Sequence, residues 1–167
     1  CEGLVGSEMC IRDRIMIKEG NKLPKFQLPN QKDELVKLPN NEITIIYFYP
    51  KADTPGCTRE SCEFQDNLSK LNKLKVKVYG VSKDSIKKQN NFAQKFNLKF
   101  NLLSDENDKI SQKFGVWVKK SMYGRTYNGI ERSTFLIDSN NKVCKIWRKV
   151  KVDGHVEDVI NTIKNLT

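Results

Sequence analysis

A chain of 167 residues is long enough for one domain with a substantial core, and its 38% hydrophobic content in periodic segments excludes a disordered polymer. No apolar run approaches the ~18 residues that span a bilayer. The formal charge of +10 invites nucleic-acid binding, yet six of the 30 basic residues are Arg and the lysines are scattered, as on a solvated basic surface.

Residues 1–15 have no clear period and open without a methionine. They lack the basic start and apolar stretch of a signal peptide and resemble translated sequencing-adapter read-through. Met16 is the expected native start, with residues 16–167 forming the single domain and Cys1 and Cys10 outside the functional argument. Residues 22–38 read as a polar-edged hairpin, with Phe26-Gln27-Leu28 and Leu35-Val36-Lys37-Leu38 flanking Pro29-Asn30-Gln31-Lys32-Asp33.

An apolar, β-branched and aromatic run at 43–49 predicts a buried strand. Pro50 ends it and Pro55-Gly56 marks a turn. Phe64, Leu68, Leu71 and Leu74 then recur at three- and four-residue spacing, which predicts a helix over about 58–74. Cys57 falls at the first turn of that helix, where unpaired N–H groups and the positive dipole end favour an anion. That setting makes a thiol reactive. Cys62 follows five residues later.

Residues 76–81 predict a second strong strand, with Ser82-Lys83-Asp84 able to cap a helix at about 84–97. A short strand at 100–103 and a helix at about 107–114 follow; residues 115–131, with Gly115, Gly124 and Gly129, read as loop. Residues 133–138 and 143–149 flank Ser139-Asn140-Asn141, a hairpin signal, and a last helix at about 155–166 puts Val156, Val159, Ile160 and Ile163 on one side. Strands alternating with helices and closing on a hairpin plus helix predict an α/β sandwich around a mixed sheet.

Five cysteines make no disulfide framework in a chain of this size. The odd count and the Cys57/Cys62 pair suit a reducing, cytoplasmic compartment and a catalytic thiol. Cys144 reads as a packed core thiol and His155 as a solvated residue at a helix start. One His and one close Cys pair do not make a zinc site.

Pro50-Lys51-Ala52-Asp53-Thr54-Pro55-Gly56-Cys57 resembles the peroxiredoxin pattern of Pro, three residues, Thr, two residues, Cys. Cys57-Thr58-Arg59-Glu60-Ser61-Cys62 is similar to the peroxiredoxin Q branch, also called bacterioferritin comigratory protein, as is the stretch from Tyr123-Gly124-Arg125-Thr126-Tyr127 to Arg132-Ser133-Thr134-Phe135-Leu136-Ile137-Asp138. The likeness covers residues 20 to 166 and departs from the branch at Gln65 and Val118. It implies a thioredoxin-like three-layer sandwich, a central mixed sheet flanked by helices, with an N-terminal hairpin.

The resemblance further implies that Cys57 is the peroxidatic nucleophile and Cys62 the resolving cysteine, with Thr54, Arg132 and Pro50 at the remaining active-site positions. Separate physical arguments suit each role. Arg132 supplies a permanent positive charge beside a thiolate, and with backbone N–H groups near Gly56-Cys57 it can stabilise a leaving oxygen. The Thr54 hydroxyl can donate and accept. Pro50 has no N–H, and its ring would shield the sulfur from water.

The implied reaction reduces hydrogen peroxide and alkyl hydroperoxides through a Cys57–Cys62 disulfide recycled by thioredoxin or a similar dithiol protein. No cofactor, metal, specific nucleic acid or membrane is expected, and the implied enzyme is a monomer. Two rivals remain at this point. A thioredoxin-like protein disulfide oxidoreductase would use Cys-x-x-Cys, whereas four residues intervene here. A basic nucleic-acid-binding or holdase protein would show salt-sensitive DNA retention without peroxide turnover.

Overall fold

The structure, a computed structural model, describes residues 17–166, so the expected leader at 1–15, with Cys1 and Cys10, lies outside the described residues. The chain runs β1 (Phe26–Pro29), β2 (Leu35–Leu38), β3 (Ile43–Phe48), α1 (Pro55–Asp66), α2 (Leu68–Lys73), β4 (Val76–Ser82), α3 (Ile86–Lys95) and β5 (Asn101–Ser104). It continues through α4 (Lys109–Lys113), β6 (Trp117–Met122), β7 (Arg125–Ile130), β8 (Ser133–Ile137), β9 (Val143–Trp147) and α5 (His155–Leu166). The first two strands pair antiparallel, with Phe26 opposite Leu38, as the N-terminal hairpin.

Five strands form the central sheet in the order β5-β4-β3-β8-β9. β3, β4 and β5 run parallel, and β8 and β9 add antiparallel partners, which makes the sheet mixed as predicted. β3 is its middle strand. Because side chains alternate along a strand, Ile45, Tyr47 and Tyr49 enter one core while Ile46 and Phe48 enter the other. A strand buried on both faces reads as a continuous apolar run, which is what residues 43–49 show.

Phe64 and Leu71 from α1 and α2, Phe92 from α3, and Val159, Ile160 and Ile163 from α5 cover the first face. Phe26, Leu28 and Leu38 of the N-terminal hairpin and Phe114 at the end of α4 cover the second, with the Phe26 and Phe114 rings edge-on at 5.4 Å. These are the three layers of the expected sandwich. No helix among the described residues is long and apolar enough to cross a membrane.

Three expectations are corrected. The helix expected over 58–74 starts earlier, at Pro55, and is broken at Asn67. The Asn67 amide donates from Nδ2 to the Glu63 carbonyl at 2.8 Å, and its backbone N–H is shared between the carbonyls of Glu63 and Phe64 at 3.2 Å. A short polar side chain that competes for a helical carbonyl favours termination there. Leu68, Leu71 and Leu74 keep their spacing because the second helix resumes at once.

Residues 115–131, expected as loop, contain the antiparallel β6–β7 ribbon, with Trp117 opposite Ile130 and Met122 opposite Arg125. Tyr123 and Gly124, at φ 53 and 77, supply the two positive φ values of a two-residue hairpin turn. The ribbon was hidden because β7 stays exposed through Asn128 and is fully buried only at Ile130, so no inside–outside alternation marks it. α3 also starts later than expected, at Ile86, with Ser85 as its cap accepting from the Lys88 N–H at 3.2 Å.

Candidate active site

The segment between β3 and α1 is held from several sides. Tyr49 N–H donates to the Val81 carbonyl at 3.0 Å as the last step of the ladder with β4. Ala52 N–H donates to Asp84 Oδ2 at 2.7 Å, and Asp53, in the left-handed region at φ 62, pairs with Lys95 Nζ at 3.0 Å. Thr54 is the extended N-cap residue of α1 and Pro55 starts the helix, where a missing N–H is no loss. The Thr54 hydroxyl donates to the Lys51 carbonyl at 2.9 Å, so its proton is committed and its lone pairs remain to accept. Pro50 and Thr54 are both half-buried.

Cys57 is the third residue of α1, inside the turn whose N–H groups have no helical acceptor, and its exposure is 0%. Arg132 reaches it from across the sheet. Ser133 lies opposite Phe48 in the β3–β8 register, which sets Arg132 just past the C-terminal end of β3, and its carbonyl accepts from Val150 N–H at 2.9 Å. Arg132 Nη2 donates to Cys57 Sγ at 3.2 Å and Nη1 to Glu60 Oε1 at 2.8 Å. Burial alone would pull the arginine pKa down; Glu60 and Cys57 outweigh it and hold it up. A permanent cation is thus fixed against the sulfur.

Glu60 lies one turn after Cys57 on α1 and is fully buried. Burial pushes its carboxyl up to about 7, Arg132 partly offsets this, and Glu63 adds to it. His155, expected to be solvated, is 6% exposed, a correction that follows from how α5 docks. Val156, Val159 and Ile160 draw the first turn of α5 into the core, and the imidazole packs edge-on against Phe64 and Trp147. Its Nε2 is 2.7 Å from Thr134 Oγ1 and 3.9 Å from Glu60 Oε2. Burial lowers the His155 pKa to about 4, against the pull of Asp158 and with help from Arg132, so the ring is neutral at physiological pH.

Cys62 is a half-buried free thiol on the same helix, its pKa raised by burial and then by Asp66. Five residues along an intact helix put its Cα roughly 8.6 Å from that of Cys57. The helix between them is anchored: the Tyr47 hydroxyl and Ser61 Oγ are 2.8 Å apart, and the Tyr47 ring stacks on Phe64 at 4.7 Å. Gly80, opposite Tyr47 in the sheet, makes room for this ring, since a Cβ there would lie 2.8 Å from Tyr47 Cζ. Cys144 is half-buried on β9 rather than fully packed.

The structure therefore gathers Cys57, Arg132 and Glu60 into direct contact, keeps Thr54 and Pro50 in the adjoining loop, and leaves Cys62 further along α1. Glu60, His155 and Thr134 were missed by sequence reasoning. The Cys57-x-x-Glu60 spacing, one helical turn, was a usable signal for Glu60. Nothing local marked the other two, which lie 21 residues apart and far along the chain.

The sequence profile described as the AhpC/TSA family matches residues 20–146. The chain is 48% identical over 149 residues to a putative peroxiredoxin bcp of Coxiella burnetii, covering 88% of this chain and 99% of that protein. It is 43% identical over 153 residues to peroxiredoxin Bcp of Bacillus subtilis, covering 90% and 98%. Among solved structures, a mutant of Xylella fastidiosa PrxQ superposes with a TM-score of 0.85 at 35% identity, over 89% of this chain and 96% of that one. A Xanthomonas campestris bacterioferritin comigratory protein, studied for alkyl peroxide reduction, superposes with a TM-score of 0.80 at 39% identity, over 84% and 90%.

Proposed function

The chain belongs to the AhpC/TSA family, in its Bcp/peroxiredoxin Q branch, and is a thiol-dependent peroxidase; from that premise we propose that it reduces hydrogen peroxide and organic hydroperoxides through a Cys57 sulfenic acid. The observation that carries the assignment is Arg132 Nη2 at 3.2 Å from the Sγ of a fully buried Cys57 in the first turn of a helix. The guanidinium and the helix N-terminus favour an anionic sulfur, the attacking form.

The thiolate attacks the distal oxygen of ROOH: an S–O bond forms, the O–O bond breaks, and the leaving RO⁻ takes up a proton. Negative charge moves from sulfur to the leaving oxygen, and Arg132 with the free N–H groups of the first helical turn stabilises it at both ends. The Thr54 oxygen accepts from the peroxide O–H and so orients it. Pro50 closes the outer side of the loop. Cys62 then condenses with the sulfenic acid, releasing water, and a thioredoxin-type dithiol protein reduces the disulfide.

Both cysteines lie on one helix, so resolution needs no second subunit, which suits a monomer in a reducing cytoplasmic setting. A protein disulfide oxidoreductase must present its nucleophile to a folded partner, and a Cys57 with 0% exposure counts against that reading. The test is thioredoxin-coupled peroxide consumption by wild type and Cys57→Ser. Turnover is expected in the first and not the second; equal rates would reject the assignment.

A further inference from the structure

Cys57 and Glu60 lie one helical turn apart and reach for the same guanidinium, which donates at 3.2 Å to the sulfur and 2.8 Å to Glu60 Oε1. Both groups have 0% exposure. Two anions held by one cation, away from water, repel each other. The sulfur must be anionic to react. Glu60 has an alternative: it can keep Oε1 on Arg132 and carry a hydrogen on Oε2.

Glu60 Oε2 is buried and has no hydrogen-bond partner. A neutral polar nitrogen faces it, His155 Nε2 at 3.9 Å, which also stands 2.7 Å from Thr134 Oγ1. A hydroxyl can donate or accept, so Thr134 lets the imidazole keep a partner whichever nitrogen holds its hydrogen. A carboxylic acid hydrogen on Oε2 would have this nitrogen, 3.9 Å away, to turn toward.

We propose that Glu60 and His155 form a redox-linked proton site, in which Glu60 is held protonated toward His155 while Cys57 is a thiolate and gives up that proton when the sulfur is oxidised to a neutral state. The proposal rests on the peroxidase reading above. The balance closes without a further reagent. Thiolate sulfur, losing two electrons, bonds to the distal oxygen of ROOH, which keeps its hydrogen as the sulfenic acid. The leaving RO⁻ ends as ROH, and the proton it takes from solvent is replaced by the one Glu60 releases. The buried cluster starts with its negative charge on sulfur and ends with it on the carboxylate, paired with Arg132. Reduction by the dithiol protein restores the thiolate, and Glu60 takes a proton back from solvent.

Glu60 does not touch the reacting oxygens; it acts through Arg132 and is a positioning residue. The carboxyl, raised to about 7 by burial against the pull of Arg132, is poised to change state near neutrality. The charged and titratable groups around it are Arg132 and Glu63, the Tyr47 phenol, kept neutral by burial, and His155, with Cys57 on the other arm of the same guanidinium. His155 itself faces Asp158 and Arg132 and is kept neutral by burial.

Infrared difference spectroscopy on the full chain tests this, because a buried carboxylic acid has a carbonyl stretch that a carboxylate lacks. Reduced Cys62→Ser, whose sulfenic acid cannot go on to the disulfide that unwinds α1, should show one such band at neutral pH, lost on one equivalent of hydrogen peroxide and restored by dithiothreitol. Glu60→Gln should lack it from the start. In Cys57→Ser, with no anionic sulfur to compete for Arg132, the band should titrate away about one pH unit lower, a tenfold weaker hold on the proton. His155→Phe, and His155→Asn as the milder change, should shift its frequency. A band unaffected by oxidation, or one with the same titration midpoint in Cys57→Ser, would overturn the proposal; an unshifted band in both His155 variants would remove His155 from it. A wild type that consumes no peroxide would overturn the peroxidase reading, yet the Cys57→Ser comparison, which needs no peroxide, would still decide the proton site.

Discussion

Gly56 leaves room for Arg132: a Cβ on Gly56 would stand 3.1 Å from Arg132 Nη2, tighter than ordinary contact. This glycine is not in the left-handed region, so the backbone would accept alanine and the guanidinium alone would feel it. Gly56→Ala should therefore slow the peroxide reaction by about tenfold, given that about 1 Å of misplacement can cost about 10²-fold. Melting temperature should hold or rise, because alanine is the better helix former by about 1 kcal/mol. Stopped-flow oxidation of the thiol beside a thermal melt checks both. A wild-type rate would show that the Arg132 position has slack.

Arg132→Lys keeps the charge and loses the fork that serves Cys57 and Glu60 at once. Peroxide attack should fall by about 10²-fold, the scale for losing one well-placed donor at a developing anion. Thr54→Val should cost about tenfold, and Thr54→Ser, which keeps the hydroxyl, should recover most of it. If Arg132→Lys and Thr54→Val both react at the wild-type rate, the roles assigned to Arg132 and Thr54 are wrong.

Glu60 and His155 should pull stability in opposite directions with pH. Glu60 is raised from 4.5 to about 7, so its contribution is complete below 4.5 and is lost as pH climbs through 7. His155 is lowered from 6.5 to about 4, so its contribution is present above 6.5 and lost as pH falls through 4. The two slopes nearly cancel between 4.5 and 6.5 in wild type. Glu60→Gln should unmask the histidine and lose about 3 kcal/mol on acidification from pH 6.5 to 4. His155→Asn should instead lose a similar amount as pH rises from 4.5 to 7. Urea unfolding at a series of pH values reads this; parallel curves for the two variants would contradict it.

A Cys57–Cys62 disulfide cannot form in the helix as folded. Disulfides need Cα atoms about 4.4–6.8 Å apart, against roughly 8.6 Å for five residues of α-helix. The first turns of α1 must unwind after Cys57 is oxidised, breaking the Arg132–Glu60 pair and straining the Tyr47–Ser61 bond. Oxidised protein should lose amide protection over residues 57–64 and helical circular dichroism, with dithiothreitol restoring both. Cys62→Ser should over-oxidise at Cys57 under excess peroxide. Unchanged hydrogen exchange across this segment would exclude the bridge.

By intrinsic propensity Thr58, Ser61 and Asn67 are mediocre helix formers, so local preference offers little resistance to this unwinding. The folded chain answers otherwise. Ser61 is weak as a helix former but buried against Tyr47, and Phe64 stacks on the same ring. The resistance is tertiary, and helix propensity does not register it. The β6–β7 ribbon was illegible for a related reason: its strands bury too little to alternate, and its turn is specified by backbone dihedrals at Tyr123 and Gly124.

By itself the sequence determined the buried strand at 43–49, the helix-start cysteine and the order of the elements apart from the β6–β7 ribbon and the break at Asn67, because each is written in local periodicity and turn chemistry. The motif around Cys57 carried its resemblance in contiguous residues. Only the tertiary structure decided which groups meet that sulfur. Arg132 is 75 residues from Cys57 and reaches it because β8 pairs antiparallel with β3, and His155 comes within 3.9 Å of Glu60 because α5 docks over the same face. Contacts of that kind depend on strand register and helix packing, to which residues far apart in the chain contribute jointly, and no short stretch of sequence contains them.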